Sequence, residues 1–246
     1  MNGIFITSTG TDIGKTYLTQ QLLAFDQLQG RQFSASKPVI SGWPTNEKEI
    51  QHTDTGILLQ VQQQAFTEEN INNLSPWRFS HPLTPSMAAA KEGKKILLTD
   101  LVAHCQDKFL QAKQKNQIHL IEGVGGVMAP MGEDYTVLDW IQQLGVPSVL
   151  VVGSYLGTLS HTLTAIAVLQ MKGITIQALV VNETQESKVA LNDTIDCLES
   201  IEQTIPVFAL PYKNSKHTDS QELARLYDHC RGAYRMRPYN EGDNNT

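Results

Sequence analysis

Ile4-Phe5-Ile6-Thr7-Ser8-Thr9-Gly10-Thr11-Asp12-Ile13-Gly14-Lys15-Thr16 is an apolar, β-branched run that breaks into Thr, Gly and Asp and closes on Gly-Lys-Thr. It reads as a first buried strand, a phosphate loop and the start of a helix. Small residues let backbone N–H groups turn toward a phosphate, and a new helix offers four unpaired N–H groups at its N-terminus. In such a loop Lys15 reaches the β and γ phosphates and the Thr16 hydroxyl holds Mg²⁺. The spacing is not the common one, because only three residues separate Gly10 from Gly14.

The 246 residues suit one large α/β domain, with 41% hydrophobic residues for a core. The net charge of -6 without a concentrated basic arm argues against nucleic acid as a partner. Cys105, Cys197 and Cys230 are widely spaced and form no metal pattern, as in a reduced cytoplasmic protein. No signal peptide and no membrane-spanning stretch is apparent. We expect one domain over residues 1–238 and a polar, flexible tail over 239–246.

Downstream, residues 17–29 carry helical spacing, with Gly30 at the end. Phe33–Val39 reads as a second strand and Ile40–Trp43 as a loop, which puts Lys37 and Ser41 at the sheet edge where ligands gather in α/β folds. Asp54 either caps the helix that follows or holds Mg²⁺. Residues 76–79 and 82–86 read as loops, and 87–90 begin a short helix. Thr99 or Asp100 caps another helix with Leu101, Val102, Cys105, Phe109 and Leu110 as its stripe. His119-Leu120-Ile121-Glu122 is a strand ending in a carboxylate, followed by Gly123-Val124-Gly125-Gly126. An acid there is costly unless paired or metal-bound, and glycines let backbone approach a ligand. Val146–Gly153 and Ile174–Asn182 are interior strands, the second ending in an amide able to read a base edge. Leu156–His161 reads as a loop before a helix at 162–171. His161 is kept out of the catalytic set. Further helices are expected at 189–202 and 220–230, with a short strand in Pro206–Tyr212.

Thr11–Thr16, Lys37-Pro38-Val39-Ile40-Ser41-Gly42, Asp54, Glu122–Gly126, Val152-Gly153 with Leu156-Gly157-Thr158, His161 and Asn182, in this order, resemble dethiobiotin synthetases across essentially the whole chain. The resemblance implies a mostly parallel sheet flanked by helices, P-loop NTPase-like, and a homodimer. It implies an enzyme that takes 7,8-diaminononanoate, CO₂ and Mg-ATP to dethiobiotin through a carbamate and a carbamic-phosphoric mixed anhydride. Lys37 and Lys15 are then catalytic. Thr11, Asp12, Ile13, Gly14, Lys15, Thr16, Asn182 and Pro211 bind nucleotide, and Thr16, Asp54 and Glu122 hold Mg²⁺. Thr11, Lys37, Ser41, Gly157, Thr158 and Ser160 contact the diamine, the last three from across the dimer. The chain departs from the family pattern at Ser8, usually Gly, at Gly10, usually acidic, at Ser86, where His is common, and at Ser160, often Asn. Two other readings are a related ATP-dependent amide- or ring-forming enzyme and a nucleotide switch that partitions cargo. Diamine-dependent phosphate release separates them from the first.

Overall fold

The computed structural model describes residues 2–185, 187–212 and 220–235. Its strands are β1 (Gly3–Ser8), β2 (Phe33–Ser36), β3 (Val39–Ser41), β4 (Trp77–Phe79), β5 (Ile118–Glu122), β6 (Ser148–Gly153), β7 (Ile176–Asn182) and β8 (Val207–Leu210). Its helices are α1 (Lys15–Gln27), α2 (Asp54–Val61), α3 (Glu68–Leu74), α4 (Pro85–Lys91), α5 (Leu98–Gln114), α6 (Val137–Leu144), α7 (Thr158–Met171), α8 (Leu191–Ile201) and α9 (Ser220–Arg235). Six strands form one parallel sheet in the order β2-β5-β1-β6-β7-β8.

Side chains alternate across a strand, and β1 shows the result. Phe5 packs into one core cluster, with its ring edge-on to buried Trp140 at 4.7 Å, while Ile4 and Ile6 enter another. The first cluster takes in residues of α4 to α8. The second takes in residues of α1, α2, α3 and α9. Both faces of the sheet are covered, so β1, β6 and β7 read as near-continuous apolar runs.

The sheet ends at β2, and side chains finish its open edge. Gln62 donates to the Ala35 carbonyl and accepts from the Ala35 N–H, as a neighbouring strand would. Buried Asp26 at the end of α1 accepts from the backbone N–H of Gln32 and Phe33 and from the Tyr227 hydroxyl.

Several local expectations are corrected. The strand expected over Phe33–Val39 breaks at Lys37-Pro38. The chain then resumes as β3, which pairs in parallel with β4 as a separate two-stranded sheet. Segments 40–43 and 76–79 are therefore not simply loops, and buried Val39 and Phe79 anchor the pair. Thr53, not Asp54, caps α2, since its hydroxyl accepts from Gly56 N–H. Helix α5 begins at Leu98, which puts Thr99 and Asp100 inside it, and Leu110 faces solvent rather than joining the stripe. Helix α7 begins at Thr158, four residues before the expected start. The 3-10 turn Glu47–His52 and helix α3 were not anticipated. The tail at 239–246 lies outside the described residues. Among the described residues no helix is long and apolar enough to cross a membrane.

Buried His119 on β5 lies between Ser34 Oγ, 2.8 Å from Nδ1, and Ser36 Oγ, 2.9 Å from Nε2. Burial, with Lys108 nearby, lowers its pKa from 6.5 to about 3. A base whose pKa is depressed by folding contributes fully above pH 6.5. That contribution is lost as pH falls, because the unfolded chain takes up a proton that the fold refuses. Between pH 6.5 and 5 the loss from His119 is about 1.5 kcal/mol. Urea titrations at the two pH values should show that the native chain loses about that much more stability than His119→Gln. Equal losses contradict the account.

Candidate active site

The chemistry-bearing residues gather beyond the C-terminal ends of β1, β2 and β5. The register sets Ile6 of β1 beside Glu122 of β5, so the loop after β1 and the glycine turn after β5 leave the sheet as neighbours. They touch closely. A Cβ on Gly126 would lie 2.9 Å from the Thr9 carbonyl oxygen, so only glycine lets the two backbones approach this way. Asp12 in the loop has φ 57°, in the left-handed region that Asp tolerates better than most side chains.

Gly14, at φ 108°, is the N-cap of α1, and among the described residues that helix has no side-chain cap for its first N–H groups. They face the cleft as an anion site. Asn182, at the end of β7, donates its amide to the Ile13 carbonyl at 3.0 Å, and a Cβ on Gly14 would lie 2.3 Å from that amide nitrogen. The amide therefore braces the loop from behind.

Two lysines and two carboxylates form the centre. Lys37, in the break after β2, is buried. Its ammonium lies 2.6 Å from Asp54 Oδ2 and 2.7 Å from Glu122 Oε1 and also donates to the Gly123 carbonyl. Burial alone would lower its pKa. The Glu122 and Asp54 charges outweigh burial and raise it, so Lys37 stays an ammonium. Burial likewise pushes the Asp54 carboxyl up, but Lys37 beside it brings it below the ordinary value. Thr16 donates to Glu122 Oε1 at 2.5 Å. Glu122 is fully buried, and its Oε2 has no hydrogen-bond partner among the described residues. Lys15 is held by Ser8 Oγ and the Gly10 and Gly125 carbonyls. Burial, then the Lys37 charge, lowers its pKa to about 8.

Thr11, Asp12, Gly14, Lys15, Thr16, Lys37, Ser41 and Asp54 line one cleft of about 880 Å³, with Glu122 buried behind them. Ser41 Oγ is buried without a hydrogen-bond partner among the described residues. The sequence reading missed the apolar wall from Ile40, Pro82, Leu83 and Met87. Its only signal was the stiff Pro82-Leu83-Thr84-Pro85 segment. Gly157, Thr158, Ser160 and Pro211 do not line this cleft. Pro211 instead accepts from the Tyr17 hydroxyl at 3.4 Å. Gly157 and Ser160 are exposed, but Thr158 is buried with its hydroxyl turned back on the Gly153 carbonyl at 2.6 Å. The Thr158 backbone N–H is also engaged, donating to the Tyr155 carbonyl at 3.0 Å.

A family model described as an AAA domain matches residues 2–216. An ATP-dependent dethiobiotin synthetase of Methylobacterium nodulans is 43% identical over 185 residues, covering 75% of this chain and 82% of the relative. That of Acidiphilium cryptum is 40% identical over 199 residues (80% and 87%), and that of Caulobacter sp. strain K31 is 34% identical over 233 residues (95% and 96%). Among solved structures, the MinC:MinD cell division complex of Aquifex aeolicus matches with a TM-score of 0.53 at 12% identity, over 97% of this chain and 98% of that chain. The signal recognition particle receptor FtsY of Elizabethkingia anophelis also matches at 0.53 and 12%, over 93% and 64%. These two likenesses establish the nucleotide-loop fold alone.

Gly14→Ala should strain the backbone and displace Asn182 together, weakening nucleotide binding tenfold or more, as loss of about 1.4 kcal/mol or more implies. Gly93→Ala also changes a positive-φ glycine (63°), but one with open space around it. It should leave binding unchanged. Calorimetry on both variants checks this, and equal effects refute it.

Proposed function

The chain belongs to the family of ATP-dependent dethiobiotin synthetases, and on that footing we propose that it carboxylates 7,8-diaminononanoate with CO₂ and closes the ring to dethiobiotin, releasing ADP and phosphate. The observation that carries this reading is the Lys37 ammonium held between Asp54 and Glu122 beside the Lys15 loop. A nucleotide switch needs the loop but has no evident use for a second buried cation facing the same cleft.

The donor set fits Mg²⁺. It has a hydroxyl and two carboxylates, all hard oxygens, and one carboxylate oxygen, Glu122 Oε2, is buried without a hydrogen-bond partner among the described residues. Thr16, Asp54 and Glu122 would hold the ion, directly or through water. When bound, it supplies charge neutralisation between the β and γ phosphates. Lys15 steadies those phosphates, and the N-terminus of α1 receives their oxygens. Thr11, Asp12, Ile13 and Gly14 present backbone to them.

One substrate amine adds to CO₂ as a carbamate. A carbamate oxygen attacks the γ phosphorus and ADP leaves. The second amine, neutral at that moment, attacks the carbonyl carbon and expels phosphate to close the cyclic urea. The carbamate and ATP are both anionic, so bringing them together requires cations placed in advance. Lys37 fills that role toward the carbamate, and Ser41 Oγ, without a hydrogen-bond partner among the described residues, lines the same cleft. The Ile40, Pro82, Leu83 and Met87 wall suits the alkyl chain. The exposed Gly157 and Ser160 flank buried Thr158 in a turn that reaches the substrate carboxylate of the facing subunit in a homodimer. Residues 1–238 act as one domain in this reading, in the cytoplasm.

Mass spectrometry after incubation with 7,8-diaminononanoate, bicarbonate and Mg-ATP should detect dethiobiotin. Lys37→Ala should lower its formation by about 10²-fold or more, as loss of a group that stabilises developing charge does, while ATP binding by calorimetry persists. Lys37→Gln, a donor without charge, should also be impaired. Lys15→Ala should damage binding and turnover together. If Lys37→Ala loses ATP as severely as Lys15→Ala, Lys37 belongs to the nucleotide cradle. If it forms product at the native rate, the carbamate role is wrong.

Asn182 donates one N–H of its amide to the Ile13 carbonyl, which orients the amide so that its own carbonyl can accept from the adenine amino group, with Pro211 part of the surrounding wall. Asn182→Ala should reduce the ratio of ATP to GTP affinity, not merely both affinities. An unchanged ratio rules the adenine role out.

A further inference from the structure

An ammonium has three N–H donors, and in Lys15 all three are engaged. The partners are the Gly125 carbonyl at 2.9 Å, the Ser8 hydroxyl at 3.0 Å and the Gly10 carbonyl at 3.1 Å. Two of these are backbone groups that any sequence presents. The third exists only because residue 8 carries a hydroxyl. Ser8 is fully buried at the end of β1. Its own hydrogen is directed to the Gly10 carbonyl at 2.6 Å, with the Gly125 carbonyl at 3.1 Å as the alternative. A lone pair is therefore fixed toward Lys15.

We propose that Ser8 is a positioning residue that acts through Lys15: it holds the ammonium in a satisfied resting cradle and competes for it with the terminal phosphates of ATP. The inference rests on the reading of the loop as an ATP site and adds the direction of one residue's effect. To reach the β and γ phosphates, Lys15 must release at least one of its three oxygens. The two carbonyls lie on backbone fixed by the contact between the loop and the 123–126 turn. The hydroxyl is the partner it can release without moving the chain. Removing that hydroxyl leaves one N–H of the resting ammonium without a protein partner, so the free state rises relative to the ATP-bound state.

A purely structural Ser8 gives the opposite sign. If its hydroxyl served only to tie Gly10 to Gly125, its loss would loosen the loop and weaken nucleotide binding. The sign of one measurement therefore separates the two roles.

The experiment is calorimetric titration of the full chain with ATP and Mg²⁺, comparing native with Ser8→Ala. A charge-assisted bond given up on binding corresponds to about tenfold in affinity, so Ser8→Ala should bind ATP about tenfold tighter. AMP, whose single phosphate Lys15 does not reach, should show no tightening. Ser8→Gly carries the same expected sign and is the variant to use if thermal melting shows that Ser8→Ala does not fold. Unchanged or weaker ATP binding in the folded variant overturns the inference while leaving the ATP-site reading intact. Equal tightening of AMP and ATP also overturns it. If the native chain binds no ATP, the functional reading falls and the inference falls with it.

Discussion

The structure turns on a buried ammonium shared by two carboxylates. A charge withdrawn from water costs several kcal/mol unless its partners are close and well aimed, so Lys37, Asp54 and Glu122 must be held by the fold. Each is held separately. Glu122 is the last residue of a strand buried on both faces. Asp54 is the first residue of α2, aimed by the Thr53 cap behind it. Lys37 has its own carbonyl tied by Ser75 Oγ at 2.6 Å, and Ser75 is tied in turn to Thr55 at 2.7 Å. The start of α2, the end of the segment after α3 and the break after β2 are thus one hydrogen-bonded unit. Breaking any link moves a charge.

With Lys15 included, the centre holds two ammoniums against two carboxylates and is formally neutral. That balance suits the proposed binding of a polyphosphate together with a divalent cation. The protein need not expose an uncompensated charge before the ligands arrive, and each ammonium gains an anionic partner as it gives up an internal one. Lys15 is the more labile of the two. Burial and its positive neighbour press its pKa down, whereas Lys37 is kept charged by both acids. The difference follows from which lysine has carboxylates within reach.

Much of this was legible from residues 4–16 and 118–126, because a buried strand, a glycine-rich turn and a helix start are local signals. The parts that were not legible depend on partners far along the chain. Val39–Ser41 becomes a strand only because Trp77–Phe79 lies beside it, and nothing within either short segment announces the other. Thr53 and Asp54 both suit a helix cap. Which one caps was decided by Lys37, which engages Asp54 and leaves the capping bond to Thr53. Thr158, whose hydroxyl lies on the Gly153 carbonyl, read as a loop residue. Gly157, at φ 96°, starts the helix early enough to turn that hydroxyl back onto Gly153. The apolar wall of the cleft was invisible for a related reason, since isolated Ile, Leu and Met residues in loops have no period to read.

In the proposed nucleotide site the amide of Asn182 would link the two ends of the ligand. One half of it is committed to the Ile13 carbonyl, one residue before the glycine that opens the phosphate-binding helix. The other half is free to accept. A base that donates to that carbonyl would fix the orientation of the same amide that braces the loop, whereas a base presenting an acceptor there would turn it away from Ile13. Selectivity for the base and the geometry at the phosphates are then coupled through one side chain. This coupling requires Gly14 to lack a Cβ, because the amide occupies the space that a side chain would need. The glycine of the Gly-Lys-Thr sequence is thus constrained twice, by its own φ of 108° and by the residue behind it, and the second constraint is visible only once β7 is placed in the sheet.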